Sequence, residues 1–221
     1  MSRVADDNST RTGESTRTGG RPSTYARGEA AKRRILDVAM EEFAARGFWG
    51  ASLQDIAGRT GMSKPGLLHH FPNKQALLAA VLAERDLRDR HGMGVEDIFT
   101  LRGLQVLDML DRLVVVNADR FGLVQLSHVL AAESAGGDHP AAEHGRRHFA
   151  EARTLVRTAL EAGMADGELR RDLDCGLLAT QIVAVMEGLE NQWLADPGQV
   201  DLVGVFQAYT RDLRERIRAT P

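Results

Sequence analysis

The densest run of chemically able residues lies between Ser52 and Lys74. Within it Ser63-Lys64-Pro65-Gly66 is followed by His69 and His70, and then by Asn73-Lys74. Lys64 can donate to guanine O6 and N7 or to a phosphate, and His69 can reach a base edge or the sugar-phosphate backbone. Gly66 leaves no side chain between a helix and the groove it would enter. Pro65 suits a first helical turn, where its missing N–H has no intrahelical partner to lose. Ser52, Ser63 and Asn73 read as helix N-caps, and the free N–H groups and positive dipole end of such termini attract phosphate. Lys74 adds a full charge beside one of them. The chemistry offered is that of gripping a polyanion and reading its bases.

Other constellations offer less. His144 and His148 stand four residues apart, a spacing that can bind metal on one helix face. No nearby cysteine completes a ligand set, and Arg146 and Arg147 make the locality cationic, so the pair is assigned to the surface and the chain is expected to use no metal or cofactor. As an acid–base pair, His69 and His70 would diverge by about 100° around a helix. His144 and His148 with Glu143 or Glu151 would be the other such set, and neither has a Gly-rich phosphate loop or nucleophile elbow beside it, which argues against an enzyme. Cys175 is the single cysteine; it can form no internal disulfide and reads as a half-buried apolar filler.

The elements that must position these residues follow from periodicity. From Glu29, apolar residues Ile35, Leu36, Ala39, Met40 and Phe43 recur at helical spacing, with an end near Arg46-Gly47. After the Phe48-Trp49-Gly50 turn, Ser52 and Asp55 resemble a capping box opening a second helix that stops at Gly61. A short third helix over Lys64 to His70 ends at Phe71-Pro72, and a fourth runs from Asn73 to about His91-Gly92. Further amphipathic stretches fall at Glu96 to Ala118, Arg120 to Ala135, Pro140 to Ala165, Leu173 to Ala195 and Val200 to Arg218. The expectation is an all-α chain of about nine helices, a three-helix domain with a helix-turn-helix followed by a larger helical domain.

Bulk properties fit that division. Of 221 residues, 43 % are hydrophobic and 27 % charged, the balance of an ordinary globular protein. No stretch reaches the ~18 to 20 apolar residues of a membrane span, and the N-terminus has no apolar signal core, so a cytoplasmic protein without membrane partners is expected. The net charge of −3 hides an asymmetry: Met1 to Lys74 carries twelve Lys and Arg against eight Asp and Glu, while the remainder is acidic. A polyanion would meet the first part only. Residues 1–27 form an Arg, Ser, Thr and Gly-rich arm with the repeat Ser9-Thr10-Arg11-Thr12-Gly13 and Ser15-Thr16-Arg17-Thr18-Gly19, too polar to bury a core; its arginines could enter a minor groove or simply be solvated.

Three runs in order, Lys32 through Phe48, Ser52 through Ala57, and Gly61 through Leu78, resemble TetR-family transcriptional regulators. The resemblance implies a DNA-binding domain over 28–74 and an effector-binding and dimerisation domain over 75–221. It implies that Ser52, Ser63, His70 and Lys74 mainly contact phosphates, while Lys64, Pro65, Gly66 and His69 face the major groove. Leu68 departs from the family's usual tyrosine, which removes one phosphate contact. Leu173 to Trp193 and Val200 to Ile217 look like the family's two-helix dimerisation element, so the expected partners are a second copy through the last two helices, a near-palindromic double-stranded DNA operator and a small-molecule effector.

Effector pockets are mostly apolar with a few placed polar groups. Candidates at helical spacing are Met109, Leu113, Phe121, His128, Phe149, Met186, Glu190 and Trp193. The function expected is a ligand-responsive regulator, a repressor released from its operator by a small molecule. The alternative is a helical ligand-binding or interaction protein whose helix-turn-helix no longer binds DNA.

Overall fold

Nine helices connected without a strand make up the described part of the protein, a computed structural model covering residues 24–93, 100–135 and 137–219. They are α1 (Thr24–Gly50), α2 (Leu53–Thr60), α3 (Lys64–His70), α4 (Lys74–Met93), α5 (Gln105–Ala118), α6 (Phe121–Ser134), α7 (Ala142–Ala165), α8 (Cys175–Ala195) and α9 (Leu202–Ile217). Two of the expected boundaries shift. Helix α1 begins at Thr24, inside the segment read as an arm, and α5 begins at Gln105; the earlier start at Glu96 and most of the arm lie outside the described residues. Among the described residues no helix is long and apolar enough to cross a membrane.

Local chemistry explains the short helices. Ser52 Oγ accepts from Gln54 N at 3.2 Å to start α2, and Gly61 (φ 72°) ends it in the left-handed conformation that glycine holds without strain. Asp55 does not reach back to complete a capping box; Arg46 Nη1 donates to its carboxylate at 3.2 Å instead. Ser63 Oγ accepts from Gly66 N at 3.2 Å and Asn73 Oδ1 from Ala76 N at 2.8 Å, so the next two helices are capped as their sequences suggest. Arg59 ties α2 to α1 through Glu42, at 2.7 Å, and Glu41.

Two apolar clusters hold the chain. One gathers Ile35, Phe43, Phe48, Ile56, Leu67, Leu77 and Val81 from α1 to α4, each at most 2 % exposed. Burying a side chain of this size stabilises by about 1.5–3 kcal/mol, which is how a domain of such short helices stays folded. Leu126 and Leu130 of α6 complete that cluster, so α6 is packed against the first domain along α1. The second cluster joins α5, α7, α8 and α9 around Leu107, Met109, Leu160, Ile182 and Phe206.

Candidate nucleic-acid interface and effector cavity

Helix α3 turns one residue fully inward, Leu67, and leaves Ser63, Lys64, Pro65 and His69 exposed. His70 and Leu68 are half-buried. A Cβ at Gly66 would stand 3.3 Å from Ser63 Oγ, so the absent side chain serves the cap as well as the open face. Ser52 and Ser63 use an oxygen lone pair in capping, which leaves each hydroxyl proton to donate elsewhere. Lys74 is more committed. Its Nζ lies 4.7 Å from the Phe48 ring centre and 3.4 Å from the Trp49 carbonyl, and burial lowers its pKa, partly offset by the charge of Glu133.

Beside Lys74, the end of α1 meets the α6–α7 turn. Gly47 (φ 68°, ψ 179°) breaks the helix, and Phe48 N donates to Glu133 Oε2 at 2.6 Å. His139 Nδ1 accepts from Ala141 N at 3.0 Å, which leaves the ring proton on Nε2, 3.2 Å from the same Glu133 oxygen though not aligned for a hydrogen bond. The His139 ring also stands edge-on to Phe48 and Trp49, at 5.3 and 5.8 Å. The helix-turn-helix is thereby clamped to α6 and α7.

Those helices, with α4, α5 and α8, enclose a cavity of about 420 Å³. Small-molecule sites commonly span ~300–1,000 Å³, so the space suits one organic ligand. Met109, Leu110, Leu113, Val124, Ile182 and Met186 supply apolar walls. Polar groups come from four helices: Arg85 and Asp86 of α4, Asn117 of α5, His144 and His148 of α7, and Glu187 and Glu190 of α8. Glu190 accepts from Asn117 Nδ2 at 2.7 Å and is 3.0 Å from His128 Nε2. Burial alone would lower the His128 pKa, but this bond and the charges of Glu187 and Glu190 hold it above its ordinary value. His128, Glu187 and Glu190 bring possible metal-ligating atoms within 4.8 Å of one another.

The expected effector residues divide accordingly. Met109, Leu113, Met186 and Glu190 line the cavity, while His128 backs it through Glu190. Phe121 and Trp193 do not line it; they pair edge-on with each other at 5.1 Å. Phe149 faces an adjoining space of about 40 Å³. His144 and His148 are corrected from surface residues to cavity lining. They stack in parallel at 6.5 Å on the inner face of α7, whereas Arg146 and Arg147, which suggested a solvated locality, are exposed. Burial, then the charge of Arg85, lowers the His148 pKa to about 4. Burial would raise the Asp86 carboxyl, but His144, 3.5 Å away, with Arg85 and His148 brings it below its ordinary range. The acidic wall had one signal in the sequence: Glu187 and Glu190 are the only charges in α8.

A capped helix-turn-helix clamped to a helical domain with an internal cavity defines a two-domain DNA-binding regulator. Residues 35–81 match the bacterial regulatory proteins of the tetR family, and residues 127–198 the tetracyclin repressor-like C-terminal domain. The HTH-type transcriptional regulator SrpR of Pseudomonas putida is 31 % identical over 75 % of this chain and 74 % of its own. The HTH-type transcriptional repressor KstR2 of Rhodococcus jostii is 27 % identical over 85 % of this chain and 92 % of its own. Among solved structures, a TetR transcriptional regulator from Chloroflexus aurantiacus superposes with a TM-score of 0.72 at 22 % identity, covering 88 % of this chain and 99 % of that one. The chain belongs to the TetR family of transcriptional regulators.

Proposed function

We propose that the protein is a cytoplasmic repressor that occupies a near-palindromic operator as a homodimer and leaves it when a small molecule fills the α4–α8 cavity. The observation that carries this reading is the course of α4. Its first turn holds Asn73 and Lys74 beside the helix-turn-helix, and two to three turns later its Arg85 and Asp86 line the cavity. A ligand that displaces α4 therefore moves the reading head. In this reading residues 28–74 bind DNA and 75–221 bind effector and dimerise through α8 and α9. Lys64, Pro65, Gly66 and His69 face the major groove, and Ser52, Ser63, His70 and Lys74 hold phosphates. Release requires the ligand to bind one spacing of the two reading heads better than the other.

The test selects bound fragments from a random duplex pool, then measures anisotropy of the winner against salt. Specific binding that weakens steeply as salt rises supports the reading. No sequence preference at low salt would overturn it and favour the helical interaction protein instead.

A further inference from the structure

The charges around the cavity pair off unevenly. Arg147 lies 3.7 Å from Glu151 at the mouth, Arg85 lies 3.8 Å from Asp86 on α4, and His144 also faces Asp86. Behind the cavity lining, His128 is 3.0 Å from Glu190, which Asn117 supports as well. Among the cavity's carboxylates, Glu187 is what remains. Its carboxylate lies 3.8 Å from His128 Nε2, an imidazole already engaged by Glu190. His148, close to neutral at physiological pH, adds no compensating charge.

Two carboxylates thus share one imidazole in a partly desolvated site, where an uncompensated charge is expensive to hold. Burial and then Glu190 push the Glu187 carboxyl above its ordinary range, with His128 and Arg85 offsetting this only in part. The apolar side chains of Met109, Leu113, Val124, Ile182 and Met186 surround the same space. A guest that satisfies both features carries a positive charge at one end and an apolar body behind it.

Resting on the effector-cavity reading above, we propose that the effector is an organic cation, a protonated amine whose ammonium pairs with Glu187 while its apolar body lies along Met109, Leu113 and Met186. A bare divalent ion fits less well. His128 Nε2 faces Glu190 as a hydrogen-bond donor, so it would have to give up that proton and that bond to ligate, and the apolar walls would contribute nothing.

The test uses the full-length protein and three probes of one chain length, n-decylamine, n-decanol and n-decanoate, in titration calorimetry at neutral pH and below micelle formation. Decylamine is expected to bind about tenfold or more tightly than decanol, the worth of one charge-assisted hydrogen bond, with decanoate weakest. In Glu187→Gln the amine-to-alcohol ratio is expected to fall to about one, with the melting temperature showing that the variant is folded. Leu113→Trp, which fills the cavity, is expected to abolish uptake of all three. If decanol or decanoate binds as well as decylamine, or Glu187→Gln keeps the preference, the cation assignment fails while the cavity reading stands. If none binds, or Leu113→Trp changes nothing, both fail together. A Zn²⁺ titration is the remaining arm: binding of the metal alone that competes with decylamine and is lost in His128→Ala would make the cluster a metal site and overturn the organic cation.

Discussion

Each of Ser52 and Ser63 accepts a helix-capping bond and keeps a hydroxyl proton free to donate, which in the proposed operator complex goes to a phosphate. The lysines divide differently. Lys64 is exposed on α3, whereas Lys74 spends part of its donor capacity on Trp49 and Phe48. Lys64→Ala is therefore expected to weaken operator binding by about 1–3 kcal/mol with no change in unfolding midpoint. Lys74→Ala should lower both operator affinity and, by about 0.5–1 kcal/mol, stability. Anisotropy and denaturant titration on the same variants separate these outcomes; a K64A protein that binds DNA normally contradicts the assigned reading head. His148 sets a pH limit. Its folded pKa is about 4 against an ordinary 6.5, so as pH falls through 6.5 the unfolded chain takes up a proton that the folded chain refuses. Stability is lost across that window, by about 2 kcal/mol at pH 5 for this group alone. His128 acts in the opposite sense, since its raised pKa gives stability that is present in acid and lost as pH rises through the folded value. Comparing wild type with His148→Leu in urea at pH 7 and pH 5 isolates the first effect. The variant should gain relative to wild type in acid, and an unchanged difference would place His148 in solvent.

At the scale of elements, the helix-turn-helix was legible because its determinants are local. Ser52, Gly61, Ser63, Pro65 and Asn73 each act within about one helical turn, so spacing alone could reveal them. The missing capping box came from a tertiary competitor, Arg46, which takes the Asp55 carboxylate. The cavity was legible only in part. Its walls come from five helices spread between Arg85 and Glu190, and helical spacing identifies an inward face without saying whether that face meets core or empty space. That ambiguity is why Met109 and Met186 were found while Phe121 and Trp193, equally apolar, belong to a separate contact. It also explains His144 and His148, which line the cavity although Arg146 and Arg147 beside them are exposed. The junction that couples the domains turns on Gly47. Its φ of 68° with ψ of 179° is a conformation nearly confined to glycine, and a Cβ there would land on the Glu133 carboxylate that holds Phe48 N. Gly47→Ala is expected to destabilise by about 1–3 kcal/mol through backbone strain alone. Glu133→Gln keeps the backbone and weakens the clamp. If the clamp transmits the cavity's state, the glutamine variant should retain ligand binding in calorimetry but lose much of the ligand-induced drop in operator affinity; an unchanged drop would show that α4 alone carries the signal.

Across the whole molecule, charge and symmetry decide how the pieces act together. The basic excess lies before Gln75 and the acidic excess after it, so a duplex attracts one end of the molecule and repels the other. One short reading helix makes few base contacts, and useful affinity then depends on two copies binding at once. Helices α8 and α9 carry exposed apolar side chains suited to self-pairing: Leu177 is 56 % exposed and Val205 46 %, on helices whose opposite faces are already buried in the second cluster. If these surfaces meet across a two-fold axis, the double substitution Leu177→Glu with Val205→Glu places like charges against each other in the dimer while leaving the monomer core untouched. Sedimentation equilibrium is expected to show a monomer with unchanged helical content. Operator affinity should fall by about 10²–10⁴, the advantage lost when the second half-site is no longer bound intramolecularly. Affinity for an isolated half-site should stay the same, because Lys64 and its neighbours are untouched. A variant that remains dimeric would move the interface off α8 and α9. One that becomes monomeric yet keeps full operator affinity would mean that each reading head suffices alone, and that half-site spacing of about 34–36 Å plays no part in recognition.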